Sequence, residues 1–588
     1  MNINKDIQDL SFGNMWAKYK GQLLKAWFLS VLANLLSLMP SLYMLQVYDR
    51  VINSRSMTTL LMLTMLVIGA YILMELLEWV KSEIFKKVAM DFEGRNIKRV
   101  FILIFNANLR KTNTGGAQPI TDLRTLREFC YSPALFSIIE LPLVPVYLFL
   151  IFLINPVLVY LATIAALMQL LITWLTEKRT YPAFSEANKS AIAAQQYANG
   201  SLRNGQVIES MGMIHGIHNK WMEYQFKFLN YQAIASDYAG TLTVTSKVLQ
   251  QLVSSAMLGL GCWLFLQGDL ADGGMMIVAS ILGGKVLQPL VVLLSNWRQI
   301  VNARDAYQRL RELLLLIPAE HESMPLPPPK GKLDVENLTA SAPGSNVPIL
   351  KNISFTLNAG ECLAIVGPSA AGKTTLVRLL IGIWPALSGK VRLDGADIYE
   401  WNKSELGPHL GYLPQNVELF EGTLAENITR FGEPDLAALN NASQLAGLQQ
   451  LIENFPEGFN QPIGNEGAFL SGGQRQRIGL ARAIYKMPRL IILDEPNANL
   501  DAIGDNALHE TIANLKSSGR TVIVVSHRPQ ILNSVDKILV LVDGTIKLFG
   551  DKNEVLEVLS KSRPQKEATF SSSSNDLSVE NKPALDSN

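Results

Sequence analysis

What this 588-residue chain has little of narrows its class first. It has only three cysteines, Cys130, Cys262 and Cys362, far apart and odd in number. That excludes a disulfide framework and offers no metal-ligand spacing; three unpaired thiols are expected. Charged residues make up 18% and the net charge is +1, so no global field points to nucleic acid or to an acidic partner. The only closely spaced histidines, His215 and His218, have no third His and no Cys nearby and read as part of a solvated face. No cleavable signal is expected, because the first apolar stretch begins late, near Ala26, and others of spanning length follow.

What is abundant is apolar sequence, 48% of the chain. A helix needs about 20 apolar residues to cross a bilayer core. Six stretches qualify, at 24–47, 59–80, 135–154, 157–176, 246–266 and 275–294. Only Asn155-Pro156 separates the third from the fourth, which predicts a tight hairpin; QGDLADGG turns the chain between the fifth and sixth. The segments after the second and fourth stretches hold most of the Lys and Arg, among them Lys81, Lys86, Lys87, Arg95, Lys178, Arg179 and Arg203. By the positive-inside rule these segments and both termini face the cytoplasm. Both are long enough to be membrane helices continued into water. They turn near Gly116 and near Gly205 and Gly212, where a membrane domain could meet a soluble motor. FILIF, 101–105, is too short to span and is expected to pack within the cytoplasmic bundle. Lys285 falls near the middle of the sixth span and Glu140 early in the third. A charge there is costly, so Lys285 lines a wet path, snorkels, or is paired, Glu140 being one candidate partner.

A Pro-rich linker at 318–330 divides this transmembrane part, 1–317, from a second domain, 331–561; a Ser- and Asn-rich tail, 562–588, is expected to be disordered. In the second domain the apolar run Leu363 to Val366 leads into Gly367-Pro368-Ser369-Ala370-Ala371-Gly372-Lys373-Thr374-Thr375 and then a helical pattern. That is a P-loop in the strand–loop–helix context the motif requires. Backbone N–H groups and the helix N-terminus cradle phosphates, Lys373 neutralises the β- and γ-phosphates, and the Thr374 hydroxyl suits Mg²⁺. A strand at 490–493 ends in Asp494-Glu495: an acid to hold Mg²⁺, then one to orient or deprotonate the attacking water. A third strand, 521–525, ends in Ser526-His527, so His527 can reach a γ-phosphate at the same sheet edge.

Leu470-Ser471-Gly472-Gly473-Gln474 lies about 100 residues after the P-loop and about 20 before Asp494. It resembles the signature of ABC transporters. The resemblance implies a nucleotide-binding domain of α/β fold behind an α-helical six-span exporter domain. It also implies a homodimer in which Ser471, Gly473 and Gln474 of one copy close over ATP on the P-loop of the other. Gln415 in GYLPQ matches the loop that joins Mg²⁺ and γ-phosphate to the membrane half, Asp501 in NANLD matches the D-loop, and His527 matches the switch histidine. Further segments, including MLQVYDRVINSRS (44–56), WRQIVNARDAYQRL (297–310) and LDEPNANLD (493–501), resemble the PrtD-type transporters of bacterial type I secretion. For such a protein the expectation is an ATP- and Mg²⁺-dependent inner-membrane translocase in contact with membrane lipid. It would work with a periplasmic membrane-fusion adaptor and a TolC-like outer-membrane channel on a secreted protein carrying a C-terminal signal, with a lipid or small-amphiphile exporter as the alternative. SAPGSNVPIL, where many ABC proteins carry an adenine-stacking aromatic, has none. About 20 residues precede the first span, so an N-terminal peptidase domain, active or inactive, is not expected.

Overall fold

The computed structural model describes residues 12–109, 116–270, 273–316, 325–345, 347–464, 467, 469–498, 500, 502–526 and 528–561. The chain divides into two compact units, Met1–His321 and Glu322–Asn588.

Among the described residues the first unit is built of helices: α1 (Phe12–Leu36), α2 (Met39–Gln46), α3 (Met57–Leu109), α4 (Gln118–Cys130), α5 (Pro133–Glu140), α6 (Val144–Ile154), α7 (Pro156–Leu202), α8 (Gly205–Ser210), α9 (Ile214–Gln267), α10 (Gly273–Ser295) and α11 (Trp297–Leu316). Six helical stretches are long and apolar enough to cross a membrane: Tyr19–Ile52, Met57–Leu109, Pro133–Ile154, Pro156–Leu202, Ile214–Gln267 and Gly273–Ser295. Three far exceed a bilayer. The 53 residues of α3 extend about 80 Å at the α-helical rise, so each runs on past its apolar part. The hairpin between α6 and α7 has a local cause. Asn155 is extended, its side chain accepts the Val157 N–H at 2.8 Å, and Pro156 starts the next helix where a missing N–H costs nothing.

Phe101 and Phe105 of FILIF stand exposed on α3, while Leu103 is buried. The helical period splits this short run between two faces, so only one of them enters the bundle. Glu140 is not paired with Lys285. It accepts from Lys81 Nζ at 3.3 Å and from Ser30 Oγ at 3.4 Å. Lys81 is 2% exposed, also bonds Glu78 at 2.6 Å, and lies over the Phe136 ring. Lys285 is half-buried and forms no salt bridge among the described residues, although the charge of Glu140 still acts on it. His215 and His218 are exposed on the first turns of α9. Cys130 and Cys362 are buried thiols and Cys262 is exposed.

The second unit contains two sheets. An antiparallel sheet has the order β2-β1-β4-β5, from β1 (Leu333–Ser341), β2 (Pro348–Leu357), β4 (Ser388–Leu393) and β5 (Ala396–Asp397). The central sheet has the order β10-β9-β3-β8-β7-β6, from β3 (Cys362–Val366), β6 (Leu410–Leu413), β7 (Leu490–Asp494), β8 (Thr521–Val525), β9 (Lys537–Val542) and β10 (Thr545–Asp551). All neighbours in it are parallel except β9 and β10. Every residue of β7 and β8 is buried, as expected of a parallel sheet covered on both faces. Because β3, β6, β7 and β8 run the same way, the residues following each strand emerge at one edge.

Candidate nucleotide site

At that edge β3 turns through the P-loop into α12 (Lys373–Leu380). Two glycines there are sterically required. A Cβ on Gly367 would lie 2.1 Å from the Leu541 carbonyl oxygen, and Gly372 has φ +100° with the Leu350 side chain 2.7 Å from any added Cβ. Ala370 takes a positive φ of 65° without being glycine, a cost typical of ligand-holding loops. Pro368, Ser369 and Ala370 are exposed, and Ala371 packs beneath them. Lys373 Nζ donates to the carbonyl oxygens of Gly367 at 2.7 Å and Pro368 at 3.1 Å. Its charge is thereby held over the mouth of the loop. Thr374 is half-buried and Thr375 buried.

Asp494, the last residue of β7, is 1% exposed, and neither carboxylate oxygen has a hydrogen-bond partner among the described residues. Burial pushes its pKa up and the charge of Glu495 adds to this; the Thr374 hydroxyl, Arg378 and Lys373 oppose it. A buried, unsatisfied carboxylate is expensive, and a hydroxyl stands beside it. This donor set fits a hard divalent cation bound through oxygen.

Glu495 leaves the strand with φ +49°, its N–H given to the Val525 carbonyl at 3.0 Å. The strained turn leaves its carboxylate within reach of Gln415, which follows β6 and donates through Nε2 to Glu495 Oε2 at 2.8 Å. Phosphate loop, buried Asp494, half-buried Glu495 and the glutamine are thus brought to one edge. Asp501 and His527 lie outside the described residues. The strand ahead of position 527, β8, ends at Val525; Ser526 after it is buried, with its N–H on the Ile365 carbonyl at 3.3 Å.

The LSGGQ segment opens a helix, α13 (Gly472–Ile484), with Ser471 as its N-cap. The Gln474 N–H donates to Ser471 Oγ at 3.2 Å and the Ser471 N–H to Gln474 Oε1 at 2.8 Å. Gln474 thus spends its side chain shaping the turn. Ser471 is exposed, and the two glycines keep the helix N-terminus unobstructed.

Motif reading passed over three residues. Arg378 opposes the raised pKa of Asp494 and stacks over Trp384 at 4.7 Å; it sits one turn after Thr374, so helical spacing alone could have placed it there. Gln476 is 1% exposed and donates to the Pro496 carbonyl at 3.1 Å, joining α13 to the turn that carries Glu495. Arg430, its pKa lowered mainly by burial, donates to the carbonyls of Gly407 and Leu410 and to those of Arg482 and Ala483, bracing the end of α13 against the start of β6. Nothing in the spacing of the last two signals these contacts.

Comparison with known proteins identifies the family of both units. Residues 350–498 match the ABC transporter family, and residues 23–288 match the ABC transporter transmembrane region. The chain is 38% identical over 539 residues to a type I secretion system ATP-binding protein, PrsD, of Rhizobium meliloti, covering 91% of this chain and 92% of that protein. It is 25% identical over 556 residues to the leukotoxin translocation ATP-binding protein LktB of a Pasteurella haemolytica-like species, covering 92% and 77%. A solved bacterial Atm1-family ABC exporter with ATP bound shares the fold, with a TM-score of 0.81 at 22% identity over 94% of this chain and 100% of that one. With six spans ahead of a P-loop domain and this similarity running through both units, the chain belongs to the ATP-binding proteins of type I secretion systems, inner-membrane ABC transporters that couple ATP hydrolysis to transport.

Proposed function

We propose that two copies of this chain form an exporter that drives a protein with a C-terminal signal out of the cell, in company with a periplasmic membrane-fusion adaptor and a TolC-like outer-membrane channel. The observation that carries this reading is similarity to a type I secretion protein across the membrane unit and the ATPase unit together; a shared motor alone would have matched only the second.

In this reading the backbone from Gly367 to Gly372 and the first turn of α12 hold the phosphates, with Thr375 closing the loop's end, and Lys373 leaves its carbonyl partners for the β- and γ-oxygens. Asp494, Thr374 and Gln415 would hold Mg²⁺, which supplies charge neutralisation on the phosphates. Glu495 orients the attacking water and takes its proton, its carboxylate kept in place by Gln415. Ser471 and Gly473 of one copy, set by Gln474, meet the γ-phosphate held by the other; Asp501 and His527 complete the site. ATP favours the closed pair of motors because only that state offers it both surfaces.

The test is deletion of the gene and complementation with wild type or Glu495→Gln, followed by analysis of the culture medium. Discrete proteins should vanish from the medium and return only with wild type, and the C-terminal segment of one of them should carry a reporter across. An unchanged medium with altered membrane lipids would turn the reading to the lipid-exporter alternative.

A further inference from the structure

The 297–310 segment forms most of α11, the last helix of the first unit among the described residues. One face of α11 is apolar: Ala303, Ala306, Leu310, Leu313 and Leu314 are buried with residues of α3 and α4. That face already supplies adhesion. Beside it runs a polar row, Asn302, Asp305 and Arg309, spaced by three and four residues and so aligned along the helix.

The row reaches two helices, one on each side of α11. Arg309 donates to Asp122 of α4 through Nε at 3.0 Å and a terminal nitrogen at 2.7 Å, a two-pronged grip on a carboxylate that is 1% exposed. Gln118 Nε2 supports the same carboxylate at 3.0 Å. On the other side the Asn188 amide of α7 donates to Asn302 at 3.1 Å and to Asp305 at 3.0 Å, and Tyr181 of α7 donates to Asp305 at 3.4 Å. A cavity of about 170 Å³, lined by Gln118, Asp122, Asn188, Asn302 and Arg309, separates α4 from α7 at this level. The two helices are therefore bridged here through α11.

We propose that this row is a coupling clamp: Arg309, Asp305 and Asn302 act as positioning residues that make α11, α4 and α7 move as one body when ATP binds. Apolar packing permits a helix to slide or rotate at modest cost. Directed bonds to a buried carboxylate do not, because any other register leaves Asp122 charged and unpaired. The elements so bound are those that lead into the membrane. Two residues after α4 the chain enters the third span at Pro133, and α7 is itself the continuation of the fourth span.

The experiment is hydrogen–deuterium exchange of the full-length protein in lipid nanodiscs with and without Mg-ATP, on a Glu495→Gln background so that nucleotide stays bound. Exchange is followed in α12, in α4 and in the water-exposed part of α7, residues 177–202. ATPase rate and melting temperature are measured on the hydrolysing parents. Arg309→Lys keeps the charge but loses the fork, and Asn188→Ala removes two bonds to α11 without orphaning a charge. In both, ATP should still protect α12, and ATPase should stay within about twofold of wild type. The ATP-dependent change in α4 should fall at least threefold in Arg309→Lys, and that in 177–202 at least threefold in Asn188→Ala. A full response of α4 and α7 in these variants overturns the clamp. So does a loss that α12, the ATPase rate and the melting temperature share in proportion, since the row would then serve stability alone.

Discussion

The two units of this chain obey opposite burial rules. In the membrane unit large apolar side chains face outward: Leu61, Met62, Met65, Leu66 and Ile72 on α3 are all more than half exposed. The residues it hides include a lysine, Lys81, between two glutamates. In the ATPase unit the strands β3, β7 and β8 are buried along their length, and the charged side chains of the site are lifted to the sheet edge, Asp494 excepted. Lipid removes the penalty for exposed apolar surface, so in the first unit close packing, as of Gly261 on Met276 and Gly283 on Met257, and polar contacts specify which helix meets which. In the second, water drives the sheet inside, and the strand ends inherit a fixed geometry. Chemistry in the motor is therefore placed by topology, and specificity in the membrane half by close packing and a few ion pairs.

The largest expected effect lies on the topological side. Glu495→Gln should lower the rate of phosphate release by about 10²- to 10⁴-fold while leaving nucleotide binding within a few-fold, measured by fluorescent-ATP titration. Near-normal release would remove Glu495 from the chemistry, and with it the claim that strand ends place the catalyst.

On the other side, Lys81→Met should destabilise the membrane unit by about 3–5 kcal/mol, read from denaturant unfolding in mixed micelles, because Glu78 and Glu140 are left facing one another. Adding Glu140→Gln should recover much of the loss. If both single and double variants unfold like wild type, the pair is not what selects the contact between α3 and α5.

These two positions also show what could be read in advance. Glu495 was legible because a buried apolar run ending in Asp-Glu admits few other structures, and the same holds for Gly367 to Thr374 and for the six spans. Lys81 was legible only as a positive residue after a span. Its partner lies 59 residues away across a helix packing that no period encodes, so Lys285 looked as good a mate for Glu140. Lys285 is half-buried instead. Arg378 could have been found one helical turn from Thr374. Gln476 and Arg430 could not, because both bind backbone carbonyls, which carry no residue identity. The segment 297–310 stood out as a resemblance without a role until Asn302, Asp305 and Arg309 came to lie along one side of α11.

Gln415→Ala should have an intermediate effect. It removes a 2.8 Å bond to a carboxylate, and bonds to charged groups are worth about 1.5–3 kcal/mol. The turnover number should therefore drop about 10- to 100-fold, with KM for ATP changing less. A change confined to KM would mean that Gln415 serves binding and that the bend at Glu495 alone aims its carboxylate.

The smallest effect tests the exception, the one charged side chain that the sheet edge does not expose. The folded pKa of Asp494 is raised above the unfolded carboxylate value by burial. Its charged form therefore disfavours folding, and the cost is absent below the unfolded pKa of about 3.9, where both states are neutral. The cost grows as pH rises through the folded pKa and is constant above it. Asp494→Asn should then melt like wild type in acid and above it at neutral pH when both are free of nucleotide and divalent cation. The gain should be a few degrees, since about 1 kcal/mol corresponds to roughly 2–4 °C in a unit of this size. In the presence of Mg-ATP the order should invert, because wild type gains the stabilisation of bound ligand and Asp494→Asn gains less of it. A variant less stable than wild type at neutral pH without ligand would show that the carboxylate is satisfied in the folded state. The unit would then be hiding no unpaired charge, and its contrast with the membrane half, where the buried Lys81 sits between two glutamates, would fall.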